Sequence, residues 1–300
     1  LPKSFAVRYA AIDVGTNAAR LNVVEIKNGK KGISIERIFQ DRVALRLGDD
    51  VFKKGYITSH KSLQFIKTMR AFKLLSEVHE VQVMRAVATS AMREAENGAE
   101  LRNMIFEQCG IYLETISGEE EALLLFESFD LLSVDRNLPY LVVDVGGGST
   151  EISVFENGKR RASRSFELGT LRILNGKGTP IEWQNMREWL EREVDHHVPH
   201  RLYGTGGNIR KIHALLVGKE EQAPVTMEAL EQLFTDMAPL SNEERMSVYN
   251  IKADRADVIV PAMQVFQFIL QQLGINEVHA PRLSLSDGIL LHLYREQTDV

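Results

Sequence analysis

Two short stretches of the chain combine an acid, glycines and hydroxyl or amide side chains in the same order. One is Asp13-Val14-Gly15-Thr16-Asn17; the other is Asp144-Val145-Gly146-Gly147-Gly148-Ser149-Thr150. Glycine admits backbone conformations and close approaches that a Cβ forbids. Successive backbone N–H groups in such a turn cradle an anion, and Thr16, Ser149 and Thr150 add hydroxyl donors. A carboxylate beside a phosphate is repulsive, so Asp13 and Asp144 make sense if a hard cation stands between them and the anion. Mg2+ commonly takes one or two carboxylates with phosphate oxygens and water. Either stretch alone also reads as a tight turn ending a strand, but its repetition favours bound phosphate.

Further carboxylates follow. In "ISGEEEALLLFESFDLL", Ser117 and Glu120 have the spacing of a capping box, and acids in a first helical turn suit the helix dipole. That accounts for Glu119 and Glu120. Glu121 lies one position deeper, beside apolar Ala122 to Phe126, where a carboxylate could face a cleft and act as general base on water. Glu151 shares a strand face with Ser153 and could join Asp144 as a second carboxylate for a metal.

A polyanion also needs cations, and Arg grips phosphate as a bidentate fork. The candidates are Arg20, Arg93 in "TSAMREA", Arg172 in "LGTLRI", and Lys159-Arg160-Arg161 with Arg164. Each alone reads more simply as a solvated charge. His196, His197 and His200 stand near Pro199 at a helix end, and read as solvated histidines rather than metal ligands.

The elements that must position these residues repeat as well. Each copy runs apolar strand, Asp-Val-Gly, small polar turn, apolar strand, Asn-Gly, third strand, with the Asn-Gly pairs at Asn28-Gly29 and Asn157-Gly158. Asn-Gly between alternating runs predicts a type I′ hairpin turn. Two copies of a three-strand unit predict a duplicated domain. After each copy the period changes. Helices are expected at 59–78 and 98–109, strands at 81–89 and 111–116, then a helix at 181–198, a strand into "GTGG", helices from Asn208, Met227 and Asn242, and a last helix from Ser286. Antiparallel strands followed by alternating helices and strands predict a mixed α/β sheet in each half.

Composition sets outer limits. The chain has 300 residues, 44% apolar, with 36 basic and 41 acidic side chains, enough for two packed domains. A net charge of −5 argues against a wholesale nucleic-acid binder, so an anionic ligand must be drawn by local cations. Cys109 is the single cysteine, which rules out a disulfide within the chain and fits a reducing cytoplasm. No apolar run reaches the roughly 18–20 residues that span a bilayer, and "LPKSFAVRYAAIDVG" lacks the pattern of a signal peptide.

In their order, "AAIDVGTNAARL", "ATSAMREAENG", "ISGEEEA", "VVDVGGGSTEI", "LGTLRI" and "GTGGN" resemble the exopolyphosphatases and guanosine pentaphosphate phosphohydrolases. These form the Ppx/GppA group of the actin, sugar-kinase and Hsp70 superfamily. The resemblance runs from about Ala10 to Gly288 and implies two α/β domains of ribonuclease H-like, actin-like ATPase type. Their mixed sheets are flanked by helices, with a cleft between the domains. The expected boundaries are 1–117 and 118–300, with the last helix, 286–300, packing back on the first domain.

The resemblance further implies hydrolysis of the terminal phosphate of linear polyphosphate, dependent on Mg2+ or Mn2+. The alternatives are the same chemistry on guanosine pentaphosphate and a catalytically inactive sensor of guanosine tetra- or pentaphosphate. An ATP-dependent sugar kinase of the superfamily is a further rival. Carried over, Glu121 matches the catalytic base, and Asp144 and Glu151, with Asp13, match the metal-binding acids. Gly15, Thr16, Asn17, Gly146, Gly147, Gly148 and Ser149 match the phosphate turns, and Arg20, Arg93 and Arg172 the anion path. The group admits a homodimer; no DNA or membrane partner is implied. Departures stand at Thr16 in the first turn, where Ser is usual, at the third glycine turn, Gly204-Thr205-Gly206-Gly207-Asn208, where a Ser-Gly-Thr is usual, and at Ser286-Asp287-Gly288, where Arg-Glu-Gly is usual.

Overall fold

The computed structural model describes residues 7–29, 32–132, 138–218, 220 and 222–298. The chain forms two compact units, Leu1–Ser133 with Ser284–Val300, and Val134–Leu283.

The first unit contains β1 (Arg8–Val14), β2 (Ala19–Gly29), β3 (Gly32–Val43), α1 (Leu47–Lys54), α2 (Ser59–Val78), β4 (Val83–Ala88), α3 (Ser90–Glu94), α4 (Gly98–Cys109), β5 (Leu113–Thr115) and α5 (Gly118–Ser128). Its sheet runs β3-β2-β1-β4-β5. The β1/β2 and β2/β3 pairs are antiparallel, and β4 and β5 add in parallel. Every β1 residue after Arg8 is buried, as expected of a strand covered on both faces.

The second unit contains β6 (Tyr140–Val145), β7 (Thr150–Glu156), β8 (Lys159–Phe166), α6 (Thr170–Leu174), α7 (Pro180–Glu193), β9 (Arg201–Thr205), α8 (Gly206–Leu216), β10 (Val225–Thr226), α9 (Met227–Met237), α10 (Asn242–Tyr249), α11 (Ala253–Ala256), α12 (Ile259–Leu273) and β11 (Glu277–Val278). Its main sheet runs β8-β7-β6-β9, with the same two antiparallel pairs and one parallel addition. Leu141, Val143, Ile152 and Leu202 share a core with Leu190 of α7, Ile209 of α8, Leu230 of α9 and Phe266 of α12.

The duplication extends to defects. In each copy the second and third strands slip register between the tenth and eleventh residues after the acid, at Val23/Val24 and at Val154/Phe155. The hairpin turns differ. Asn157 and Gly158 adopt φ 51° and 73°, as a type I′ turn demands. Asn28 and Gly29 instead continue the strand, paired with Ile33 and Gly32; residues 30 and 31 lie outside the described residues.

The unit boundary also falls later than the position suggested near Ser117. Helix α5 stays with the first unit because Leu124 packs into a core with Tyr9, Ala11, Val87 and Ile289. Ile289 belongs to α13 (Leu285–Thr298), the last helix, which the chain returns to the first unit. Gly288 permits this docking, since a Cβ there would lie 1.8 Å from the Leu124 carbonyl oxygen.

Candidate phosphate-binding half-sites

The candidate residues gather, in each unit, at the carboxyl ends of the parallel strands, where open α/β sheets bind ligands. In the first unit, β1 leads into Gly15–Asn17, β4 into Ser90–Arg93, and β5 into Ser117 and α5. Backbone bonds hold these ends side by side: Thr89 N donates to Val14 O at 3.1 Å and Ile116 N to Ala88 O at 3.0 Å. In the second unit, β6 leads into Gly146–Ser149 and β9 into Gly206–Asn208.

Both glycine turns have one construction. Gly15 N donates to Ala18 O at 3.0 Å, and Gly146 N to Ser149 O at 2.9 Å. The start of the next helix then ties back the turn's carbonyls. Thr16 O accepts from Gly48 N at 3.1 Å and Asn17 O from Arg46 N at 2.9 Å. Gly146 O accepts from Thr170 N at 3.0 Å, and Gly147 O from Leu171 N at 2.8 Å and Arg172 N at 3.1 Å. Gly148 O accepts from Arg172 Nε at 2.7 Å. No cis peptide is present among the described residues, and in a planar trans peptide C=O and N–H point opposite ways. Tying the carbonyls inward therefore turns the N–H groups of Gly147, Gly148 and Ser149 outward. The groups that would repel an anion are withdrawn and those that attract one are presented.

Three supports of these turns were not legible as such in the sequence. Gly169 lies so close that a Cβ would stand 2.3 Å from Gly148 N and C; its signal was the glycine of "LGTLRI". Arg46 takes φ 51° ahead of α1, a left-handed conformation costing a non-glycine residue roughly 1–2 kcal/mol. Lys61 Nζ donates to Leu45 O at 3.1 Å and also to Arg46 O. Burial lowers the Lys61 pKa, against the pull of Asp49 and Asp50.

The acids divide into two kinds. Asp13 is 3% exposed and accepts from Arg20 Nη1 at 2.9 Å; the two residues are register partners on β1 and β2. The corresponding partners in the second unit are Asp144 and Glu151. One copy thus places its own cation opposite the acid, whereas the other opposes two carboxylates. Glu151 is also 3% exposed, and its Oε1 accepts from Ser149 Oγ at 2.6 Å and Ser165 Oγ at 2.8 Å. Among the described residues, no group of three or more His, Cys, Asp or Glu side chains could hold a metal. Two hard oxygen donors fit Mg2+ only where phosphate and water complete its shell.

Several candidates work inside the protein. Thr150 Oγ1 donates to Leu168 O at 2.5 Å, and Ser149 spends its hydroxyl on Glu151. Arg172 is 6% exposed and holds Gly148, with Glu167 at 3.3 Å from its Nη1. Arg93 Nη1 donates to Ile116 O at 2.7 Å, bracing the segment that leads into Glu121. His200 Nδ1 pairs with Val198 O.

Glu121 stands half-buried in the first turn of α5. Ser117 Oγ accepts from Glu120 N at 3.1 Å, as a capping residue should. The Glu120 carboxylate instead reaches Arg85 Nη2 at 2.9 Å, so the expected capping box is only half formed.

The third glycine turn is packed by the protein itself. Gly206 adopts φ +85°, and a Cβ there would meet Asp144 Oδ1 at 2.4 Å. At Gly207 a Cβ would meet Arg255 Nη2 at 2.3 Å. Asn208 links this turn to the second, donating to Val145 O at 3.1 Å and accepting from Arg255 Nη1 at 3.0 Å. Asp287, in the departing C-terminal motif, accepts from Arg37 Nη2 at 2.9 Å and Ser284 Oγ at 2.7 Å.

Two mixed sheets built on one repeated hairpin, each flanked by helices, define an α/β protein of the actin-like ATPase fold. The model of the Ppx/GppA phosphatase family matches residues 22–297, and the chain belongs to that family of enzymes. A curated relative, exopolyphosphatase 1 of Mycobacterium tuberculosis, is 24% identical over 98% of this chain and 90% of its own length. Among solved structures, an Aquifex aeolicus Ppx/GppA family member is 24% identical with TM-score 0.77, covering 97% of this chain and 99% of that one. An exopolyphosphatase from Cytophaga hutchinsonii is 22% identical with TM-score 0.82, covering 98% of each chain. No helix among the described residues is long and apolar enough to cross a membrane.

Proposed function

We propose that this chain is an exopolyphosphatase, removing the terminal phosphate of linear polyphosphate by hydrolysis of a phosphoanhydride bond. The observation that carries the reading is the matched pair of turns whose carbonyls are tied inward, one in each unit. Names of relatives in the same family point to the same substrate class.

Phosphoryl transfer asks mainly for positioning and charge stabilisation. The amides of Gly147, Gly148 and Ser149 hold phosphate oxygens; in the first unit the amides of Asn17 and Ala18 are freed in the same way by the tied carbonyls of Thr16 and Asn17. Asp144 and Glu151 would hold Mg2+ or Mn2+, which when bound draws negative charge from the phosphate. Arg20 keeps Asp13 neutralised within the protein, which gives Asp13 a supporting place rather than a share equal to Asp144. Glu121 orients a water and takes its proton as the water oxygen attacks the terminal phosphorus. The bridging P–O bond breaks and the shortened chain leaves with its electron pair. The free, buried Cys109 fits a reducing cytoplasm as the place of this activity.

Phosphate release in Mg2+ tests this with long polyphosphate, guanosine pentaphosphate and ATP compared as kcat/KM. Polyphosphate is expected to lead. A lead for guanosine pentaphosphate would reassign the substrate, and no release from any of them would leave a binding protein. Glu121→Gln is expected to stay folded and lose at least about 100-fold in kcat; a near wild-type rate would remove Glu121 from its role.

A further inference from the structure

We propose that Arg85 is a positioning residue for Glu121, acting through Glu120 as a clamp on the rotation of α5; this rests on Glu121 being the base. Arg85 lies on β4, two residues from Val87 and so on the same sheet face, and Val87 packs in the core that holds Leu124 of α5. Its guanidinium is gripped by Glu114 of β5, Nε to Oε1 at 3.2 Å and Nη2 to Oε2 at 2.9 Å. Nη2 also donates to Glu120 Oε1 at 2.9 Å. The sheet fixes Glu114, Glu114 fixes the fork, and the fork fixes Glu120.

Glu120 and Leu124 are four apart, so they lie on one face of the helix. The ion pair and the buried Leu124 therefore pin α5 at two points along the same face. Successive helical residues are rotated by about 100°, so holding Glu120 against the sheet sets the direction in which Glu121 leaves the helix. Sliding is limited at Gly288, where α13 meets the Leu124 carbonyl at a distance no Cβ would allow. Arg93 and the Ser117 cap hold the preceding residues. Burial works against the Arg85 charge, but hydrogen bonds and attraction to Glu114 and Glu120 outweigh it and raise its pKa.

The competing reading is an ion pair that does nothing. The Glu120 side chain is 41% exposed, and pairs of that kind contribute little to stability. That separates the two readings, because misplacing a reacting group by about 1 Å costs on the order of 100-fold in rate. In polyphosphate hydrolysis at saturating Mg2+, Glu120→Ala is expected to lower kcat about tenfold or more, with KM within about twofold. Its melting temperature should stay within about 3 °C of wild type. Arg85→Gln should show the same split, and Arg85→Lys, which keeps charge but not the fork, should recover part of kcat. Glu119→Ala, in the same turn, should keep the wild-type kcat. A folded Glu120→Ala protein with wild-type kcat, or one whose loss lies in KM, overturns the clamp. If Glu121→Gln itself runs at the wild-type rate, the base assignment falls and the clamp with it. An inactive Glu121→Gln beside a fully active Glu120→Ala sinks the clamp alone.

Discussion

Arg172 donates through Nε to the carbonyl oxygen of Gly148 at 2.7 Å, joining α6 to the second glycine turn. Its sequence position suggested an arginine aimed at substrate, yet it is buried and spends this donor on the backbone. Arg172→Ala leaves a buried carbonyl without that donor, a loss of about 1–3 kcal/mol. It also frees the peptide that presents the Ser149 amide, so kcat/KM for phosphate release should fall about 100-fold. Thermal melting and steady-state kinetics check both. Arg172→Lys should not restore activity; full activity there would show that charge alone matters.

Gly169 tests the same turn from behind. Adding a methyl group places carbon 2.3 Å from Gly148 N and C, and the backbone must move. Gly169→Ala should lower stability by about 1–3 kcal/mol, as overpacking does, and reduce phosphate release more than Arg172→Ala. A variant with unchanged melting temperature and rate would refute the close approach.

The unlike partners of the two acids predict unlike metal dependence. Glu151→Gln should raise the Mg2+ concentration for half-maximal activity at least about tenfold. Asp13→Asn should shift it less, since Arg20 already faces Asp13. Chelation should abolish turnover and Mg2+ should restore it. Equal shifts in the two variants would argue that both acids meet the ion.

Asp50 gives a pH prediction remote from the chemistry. Burial alone would raise its pKa, but hydrogen bonds from Thr58 Oγ1 at 2.6 Å and Thr58 N at 3.0 Å, with nearby Lys61 and Lys54, hold it below the ordinary 3.8. A depressed folded-state pKa means the unfolded chain binds more protons as pH falls. The stabilisation is therefore present above about pH 4–5 and lost as pH drops through the folded value. Asp50→Asn should melt lower than wild type at pH 7, and the gap should narrow towards pH 3. A gap that holds constant would show that the charge is irrelevant.

Much of this was written locally. Asp13 and Asp144, the glycines after them and the period-two runs around them follow from neighbouring residues alone. Strand alternation and turn chemistry act over a few positions, so a reader of the chain can find both copies. Helices α2 and α4 were equally legible, α4 down to Gly110, whose φ of 66° closes it. What could not be read is which donor each arginine spends and on whom. Arg20 meets Asp13 only because β1 and β2 pair in one register, and Arg172 meets Gly148 only because Gly169 lets α6 come close. Asn28-Gly29 misled for the converse reason, since pairing with β3 carried the strand past a local turn signal.

By itself, then, the sequence determined the repeated hairpin, the acids at its strand ends and the glycines that let backbone approach a ligand, because these are properties of adjacent residues. The tertiary structure alone decided that α5 and α13 share one core, that the turn carbonyls face inward, and that one acid faces an arginine while its counterpart faces a second carboxylate. Those outcomes depend on contacts between residues far apart in the chain, and no local preference encodes them.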